Sequence, residues 1–290
     1  MDHPTDEELL AVALEAARVA GGIILRAAQS TPGGTSSPGA SAVSEKSSHT
    51  DLVTVTDKQC QEAIQAIISG AFPAHAFLGE EDVPAGVAAA AAAIAARAAS
   101  PFLWCVDPID GTTHFVAGLP LCCVSIACAR EGRVHAAVVY EPSRGEAFTA
   151  LRGRGAALNG APMRVSGAPS LKSAVVAFGG LGRVPAVAAP SLRGIAALSG
   201  RARALRGLGS AALHLAYVAA GRLEACFDMS LSVWDTAAGA LLVEEAGGRI
   251  TNFAGAEFQL QTRDTLASNG AVHEELRALL SEAGAVPPDV

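Results

Sequence analysis

Aromatic residues are scarce in this 290-residue chain: two Trp, two Tyr and nine Phe make up only 4% of it, and charged residues only 17%. With half the residues apolar, such a composition excludes global disorder and fits a compact protein rich in Ala and Val. A stripe of clustered Lys and Arg is missing. The 21 basic residues face 28 acidic ones, a formal charge of -7, which argues against a nucleic-acid partner because a phosphate backbone demands concentrated positive charge. Any phosphorylated substrate must be met by local groups. CxxC pairs and Cys/His metal spacings are also lacking: Cys60, Cys105, Cys122, Cys123, Cys128 and Cys226 mostly lie inside apolar runs, the placing of reduced, buried thiols. The opening Met1-Asp2-His3-Pro4 has neither the basic and apolar regions of a signal peptide nor the Arg/Ser bias of a transit peptide, so a cytoplasmic protein is expected. No run is long enough to span a bilayer. The stretch from Val87 to Ala99 is short, nearly all Ala, and carries Arg97; a helix or an Ala-rich insertion is expected there.

What is present reads as interleaved helices and strands. Thr5 and Glu8 form a T-x-x-E capping box, followed by Leu10, Ala13, Leu14, Ala17 and Ile24 at helical spacing. Residues 30 to 50 switch to Ser, Gly, Pro and Thr, a mobile surface loop. A second helix is expected from Asp57 to about Ser69. Phe102 to Val106 reads as a buried strand ending at Asp107, and Leu121 to Ala129 and Val134 to Tyr140 as a hairpin turning at 130–133, with a third strand near Gly145 to Ala150. A strand at Ala174 to Phe178, a helix at Ser210 to Ala220, a strand at Leu223 to Asp228 and a helix at Trp234 to Ala246, stopped by Gly247 and Gly248, follow. No fixed-period repeat or composition break appears, so one layered α/β domain over residues 1–290 is expected.

The most informative run is Asp107-Pro108-Ile109-Asp110-Gly111-Thr112-Thr113. Pro108 fixes its own φ and removes an amide donor, so the backbone can bring two carboxylates and an intervening carbonyl toward hard cations. Oxygen-only ligands favour Mg²⁺ over zinc. Gly111-Thr112-Thr113 then offers a residue without Cβ followed by hydroxyls, a turn whose amides can cradle phosphate at a helix start. Alone, the run is also compatible with a surface Asx turn, the less favoured of the two readings. Glu80, in Gly79-Glu80-Glu81-Asp82, follows a short apolar strand and reads by itself as part of a solvated face. Asp57 and Asp235 are each ordinary N-terminal helix acids.

Together, Asp51 to Asp57, Gly79-Glu80-Glu81, Asp107 to Thr113, and Trp234-Asp235-Thr236-Ala237-Ala238-Gly239 running into Glu244 to Gly248 resemble the inositol monophosphatase family, lithium-sensitive metal-dependent phosphatases related in fold to fructose bisphosphatase. The resemblance covers nearly the whole chain and implies alternating α-β-α-β-α layers. It implies that Glu80, Asp107 and the carbonyl of Ile109 hold one Mg²⁺, that Asp107, Asp110 and Asp235 hold a second, and that a third sits near Glu80 and Asp57. It further implies that Thr112 and Asp57 orient a metal-polarised water, with Glu80 the third catalytic residue. Gly111, Thr112 and Thr113 would bind the phosphate, and Asp228 and Asp235 would face the substrate.

The implied substrate is a small polyol or sugar monophosphate, with myo-inositol 1-phosphate first, and the implied assembly is a homodimer. L-galactose 1-phosphate, histidinol phosphate, fructose 1,6-bisphosphate, a nucleotide 3'-phosphate and a noncatalytic metal-binding relative are the competing readings. Arg203 and Arg206 form no recognisable motif for a second phosphate. Asp228 is one methylene shorter than the Glu usual in the family, His114 replaces a common Asn, and Ser232 stands where relatives often carry a larger polar residue. His114 is expected to support the metal ligands from behind or to be a satisfied polar side chain, rather than a catalytic base, and His214 to belong to the core. Lys46 matches a lysine that approaches the catalytic loop in family members, although a solvated loop residue fits it equally well.

Overall fold

The computed structural model describes residues 3–29, 43–45, 52–84, 86–97, 99–179, 181 and 185–287. Helix α1 (Asp6–Gln29) is opened by the expected capping box: the Thr5 amide donates to Glu8 Oε2 at 2.8 Å and the Glu8 amide to Thr5 Oγ1 at 3.2 Å. Its buried stripe runs through Leu9, Ala13, Ala16, Ala17, Ala20 and Ile24, so Leu10 and Leu14 sit at the edge rather than the centre. Strands β1 (Val43–Glu45) and β2 (Leu52–Thr54) form an antiparallel pair. Part of the segment expected as a loop is therefore strand; the rest of it, with Lys46, lies outside the described residues. Helix α2 (Val55–Ala71) buries Cys60, Ile64 and Ile68.

One sheet follows from β3 (Ala76–Gly79), β4 (Phe102–Asp110), β5 (Cys123–Arg130), β6 (Arg133–Glu141), β7 (Glu146–Leu151), β8 (Gly155–Leu158) and β9 (Ala161–Met163), in that spatial order. Only β3 and β4 run parallel. The helices α3 (Val87–Ala95) and α4 (Thr112–Ala117) lie before and after β4. At the β5–β6 hairpin Glu131 and Gly132 both have positive φ, 51° and 79°, the backbone of a two-residue turn matched to the twist of the strands.

The second half contributes β10 (Val175–Phe178), α5 (Pro185–Leu198), β11 (Ala204–Arg206), α6 (Ala211–Ala219), β12 (Ala225–Asp228), α7 (Val233–Glu245), β13 (Arg249–Thr251), β14 (Thr265–Ser268) and α8 (His273–Glu282). Its sheet has the order β11-β10-β12-β14-β13, the first three parallel and the last two antiparallel.

Both sheets are covered on both faces. Phe102, Trp104 and Val106 of β4 pack under α1 and α2, while Leu103 and Cys105 face α6 and α7. Every residue of β4 is buried, which explains why its sequence is a continuous apolar run rather than an alternating one. The far side of α6 and α7 meets Ala177, Cys226, Ile250 and Ala267 of the second sheet, whose other face is closed by α5 and α8 around Phe227, Val187 and Leu280. The layers are thus α1/α2, sheet, α6/α7, sheet, α5/α8, the expected α-β-α-β-α arrangement.

Strand β4 does not end at Asp107, as expected, but continues to Asp110 with a register shift between those two residues. Pro108 has no N–H to give the ladder, and it is tolerated because the pairing is interrupted there. The six cysteines are free and buried; burial is the main cause that pushes Cys60, Cys105 and Cys122 up to about 12. Among the described residues no helix is long and apolar enough to cross a membrane.

Candidate active site

Strand pairing brings the acids together before any side chain is considered. Gly79 lies opposite Val106 in the parallel β3–β4 register, so Glu80, in the single 3₁₀ turn Glu80–Asp82, comes level with Asp107. Gln61 of α2 holds this turn by accepting the Glu81 amide at 2.9 Å, and Gly79 leaves the room: a Cβ there would come within 2.2 Å of Gln61 Oε1. Asp107 folds back over Pro108 to accept the Ile109 amide at 2.9 Å, an Asx turn. Asp110 Oδ2 accepts the Ser210 hydroxyl at 2.7 Å and the Ala212 amide at 2.6 Å. The Ala212 amide, in the first turn of α6 and without an intrahelical acceptor, thus points at a carboxylate.

Asp57 and Asp235 each occupy the third position of a helix as half of a capping box. Asp57 Oδ2 accepts the Thr54 amide at 2.8 Å and the Thr54 hydroxyl; Asp235 Oδ2 accepts the Ser232 amide at 2.7 Å. Ser125 of β5 anchors the start of α7 by donating to the Trp234 carbonyl at 2.9 Å. Asp107, Asp110 and Asp235 converge so that one carboxylate oxygen from each lies within 4.8 Å of the others, all three residues buried. Burial first, and then the charges of Glu80, Asp110 and Asp235, raise the Asp107 carboxyl well above the usual carboxylate range. An all-oxygen cluster whose members repel one another in a buried place has the donor chemistry of a hard divalent cation such as Mg²⁺.

Gly111 (φ 96°) is the N-cap of α4, and a Cβ there would come within 2.7 Å of the Leu121 carbonyl, so both space and backbone angle demand glycine. Thr112 Oγ1 lies 3.0 Å from the Ile109 carbonyl and 3.3 Å from Asp57 Oδ1, linking α4 to the acid of α2. A cleft of about 430 Å³ opens here. Its walls include residues 110 to 113, Asp235, Asp228 and Gly179. Asp57, Glu80, Asp107 and Ile109 are buried beside the cleft rather than lining it.

Two histidines, His114 and His214, also line the cleft. The Nδ1 of His114 is buried with no hydrogen-bond partner among the described residues, although the ring bonds the Leu121 backbone; burial, then the neighbouring His214, lowers its pKa, and the Leu121 contact opposes them. His214 is buried as expected of a core residue, yet its Nδ1 lies 2.9 Å from Asp228 Oδ2, and the Leu208 amide donates to Nε2 at 3.2 Å. Burial lowers the His214 pKa, but the charge and hydrogen bond of Asp228, with Asp110, outweigh it and the net direction is up. Ser210 and Gln61 were missed as well. A Ser directly before an apolar helical run signals an N-cap, but nothing local indicates that its proton goes to Asp110.

The profile of the inositol monophosphatase family matches residues 5–285. The protein named Nus factor SuhB from Pseudomonas aeruginosa is 41% identical over 265 residues, covering 91% of this chain and 92% of its own. Inositol monophosphatase 2 from Solanum lycopersicum is 39% identical over 279 residues, covering 96% and 99%. The solved structure of an IMPase from Thermotoga maritima superposes with a TM-score of 0.80 at 31% identity, covering 96% of this chain and 98% of that one. With a profile matched over nearly its full length and relatives of this similarity, the chain belongs to the inositol monophosphatase family.

Proposed function

We propose that this protein is a Mg²⁺-dependent phosphomonoesterase acting on a small polyol or sugar monophosphate, with myo-inositol 1-phosphate as the first candidate. The observation that carries the reading is the buried convergence of Asp107, Asp110 and Asp235 beside a cleft that also exposes Gly111, Thr112 and Thr113. Glu80, Asp107, the Ile109 carbonyl, Asp110 and Asp235 would hold the cations. Bound there, Mg²⁺ supplies a Lewis acid that acidifies water and neutralises charge on the phosphate.

The chain's own groups do the rest. The first amides of a helix have no intrahelical acceptor, so those of Gly111, Thr112 and Thr113 donate to the phosphate oxygens. The Thr112 hydroxyl and Asp57, 3.3 Å apart, hold the attacking water in line and draw its proton toward Asp57. Asp228 accepts hydroxyls of the leaving alcohol. Among the described residues lining the cleft none is Lys or Arg, which favours one phosphate over two.

The name Nus factor, borne by the Pseudomonas relative, describes that protein; a noncatalytic role for this chain would leave the water-orienting pair of Thr112 and Asp57 without a task. A panel of phosphate monoesters including myo-inositol 1-phosphate, L-galactose 1-phosphate and histidinol phosphate, assayed for kcat/KM with Mg²⁺, tests the reading. Preference for a hydroxylated ring phosphate supports it. Absence of phosphate release from every member overturns it.

A further inference from the structure

Asp228 ends β12 on the wall of the cleft and is 3% exposed. Its two oxygens have unlike surroundings. Oδ2 is tied to His214 Nδ1 at 2.9 Å. Oδ1 accepts no hydrogen bond among the described residues and lies against Gly179, where an added Cβ would come within 1.7 Å of it. His214, on α6, is locked in turn: because the Leu208 amide donates to Nε2, the proton of the neutral ring sits on Nδ1 and points at Asp228. A backbone N–H thus selects the tautomer, the tautomer fixes one carboxylate oxygen, and a bare glycine wall leaves the other oxygen its place.

We propose that His214 is a positioning residue for the leaving alcohol, holding Asp228 so that Oδ1 is presented to a substrate hydroxyl beside Gly179. The inference rests on the phosphatase reading and deepens it: discrimination for a hydroxylated alcohol comes from the relay Leu208 N–H, His214 and Asp228, not from the carboxylate alone. The physical reason is preorganisation. A carboxylate free to rotate about χ2 must be ordered when the hydroxyl arrives, and a pinned one has already lost that freedom. The short Asp side chain suits such a device, since it has one rotatable bond fewer than Glu to hold.

The test compares myo-inositol 1-phosphate with p-nitrophenyl phosphate, whose leaving group carries no aliphatic hydroxyls, at saturating Mg²⁺. His214→Leu removes the donor; His214→Asn returns an N–H close to the position of Nδ1. The expected result is a KM for the inositol ester raised about tenfold in His214→Leu, the loss on a polar contact made through a charged group. That loss should exceed the loss on the aryl ester by at least about fivefold, and His214→Asn should recover most of it. In an Asp228→Ala background His214→Leu should add nothing further, because the two act through one contact. Gly179→Ala, whose added Cβ would crowd Oδ1 and Cγ of Asp228 at 1.7 and 2.9 Å and so push the carboxylate out of its place, should give the same selective KM effect and serves if His214→Leu does not fold. Equal losses on both esters, or additive effects of the His214 and Asp228 changes, would make the pair structural and overturn the inference. A wild-type protein inactive on both esters would instead overturn the phosphatase reading, and the inference with it.

Discussion

Four carboxylates, those of Glu80, Asp107, Asp110 and Asp235, share one buried region, and anions are expensive there without a cation. For Asp107 the folded state raises the pKa above its unfolded value. The folded chain therefore binds the proton more tightly, and this contribution to stability is present below the unfolded carboxylate range and lost as pH rises through the folded pKa. In EDTA the protein should lose stability between acidic and neutral pH, read from denaturant midpoints. Asp107→Asn should flatten that slope and be at least as stable as wild type at neutral pH, because Asn Oδ1 can still accept the Ile109 amide. A flat wild-type profile would contradict this. Thr112→Ala should lower kcat by roughly a hundredfold, in the range of a group that orients a proton transfer, and change KM less, since backbone amides still bind phosphate; a KM effect alone would make Thr112 a binding residue only. Asp107, Ile109, Asp110 and Thr112 were legible because they are contiguous and chemically distinctive. Ser210 and His214 were not, because their partners Asp110 and Asp228 lie 100 and 14 residues away and the sequence around them has only the pattern of a capped apolar helix.

Helices α6 and α7 carry Ser210 and Asp235 at their starts and cross where Gly239 meets Leu215. A Cβ on Gly239 would come within 2.4 Å of Leu215 Cβ, and a Cβ cannot yield without its backbone. Gly239→Ala sets an overpacking cost of about 1–3 kcal/mol against about 1 kcal/mol gained by removing a helical glycine. Net destabilisation is expected, with a fall in kcat as the two helix starts separate; an unchanged denaturant midpoint would show that the helices yield freely. At this scale the sequence spoke unevenly. Periodicity revealed α1, α2, α6 and α7, and the continuous apolar run revealed β4, though not its extension past Pro108 to Asp110. Strands β9, β11 and β13 have three residues each, too few for alternation to register. Helix α5 starts at Pro185 and contains Pro190, a residue that ordinarily argues against a helix interior.

The five layers place the acidic cluster where β4, next to the edge strand β3 of the first sheet, meets the starts of α2, α4, α6 and α7, so the site depends on both halves of the molecule. A carboxylate cage for a small hard cation can admit Li⁺, whose single charge polarises water and phosphate less than Mg²⁺ does. LiCl in the millimolar range should therefore inhibit turnover relative to KCl at equal ionic strength, the control that removes general screening; identical LiCl and KCl curves would set this protein apart from lithium-sensitive relatives. The most direct measurement of the central claim is phosphate release from myo-inositol 1-phosphate by EDTA-stripped protein as Mg²⁺ is restored, for wild type and Asp107→Asn side by side. Wild-type activity should appear only with Mg²⁺, and the variant should remain folded with kcat lower by roughly a thousandfold or more, the scale of several kcal/mol of lost charge stabilisation. Metal-independent release, or a variant keeping more than about a tenth of the wild-type rate at saturating Mg²⁺, would contradict the assignment of the cluster as the catalytic metal centre.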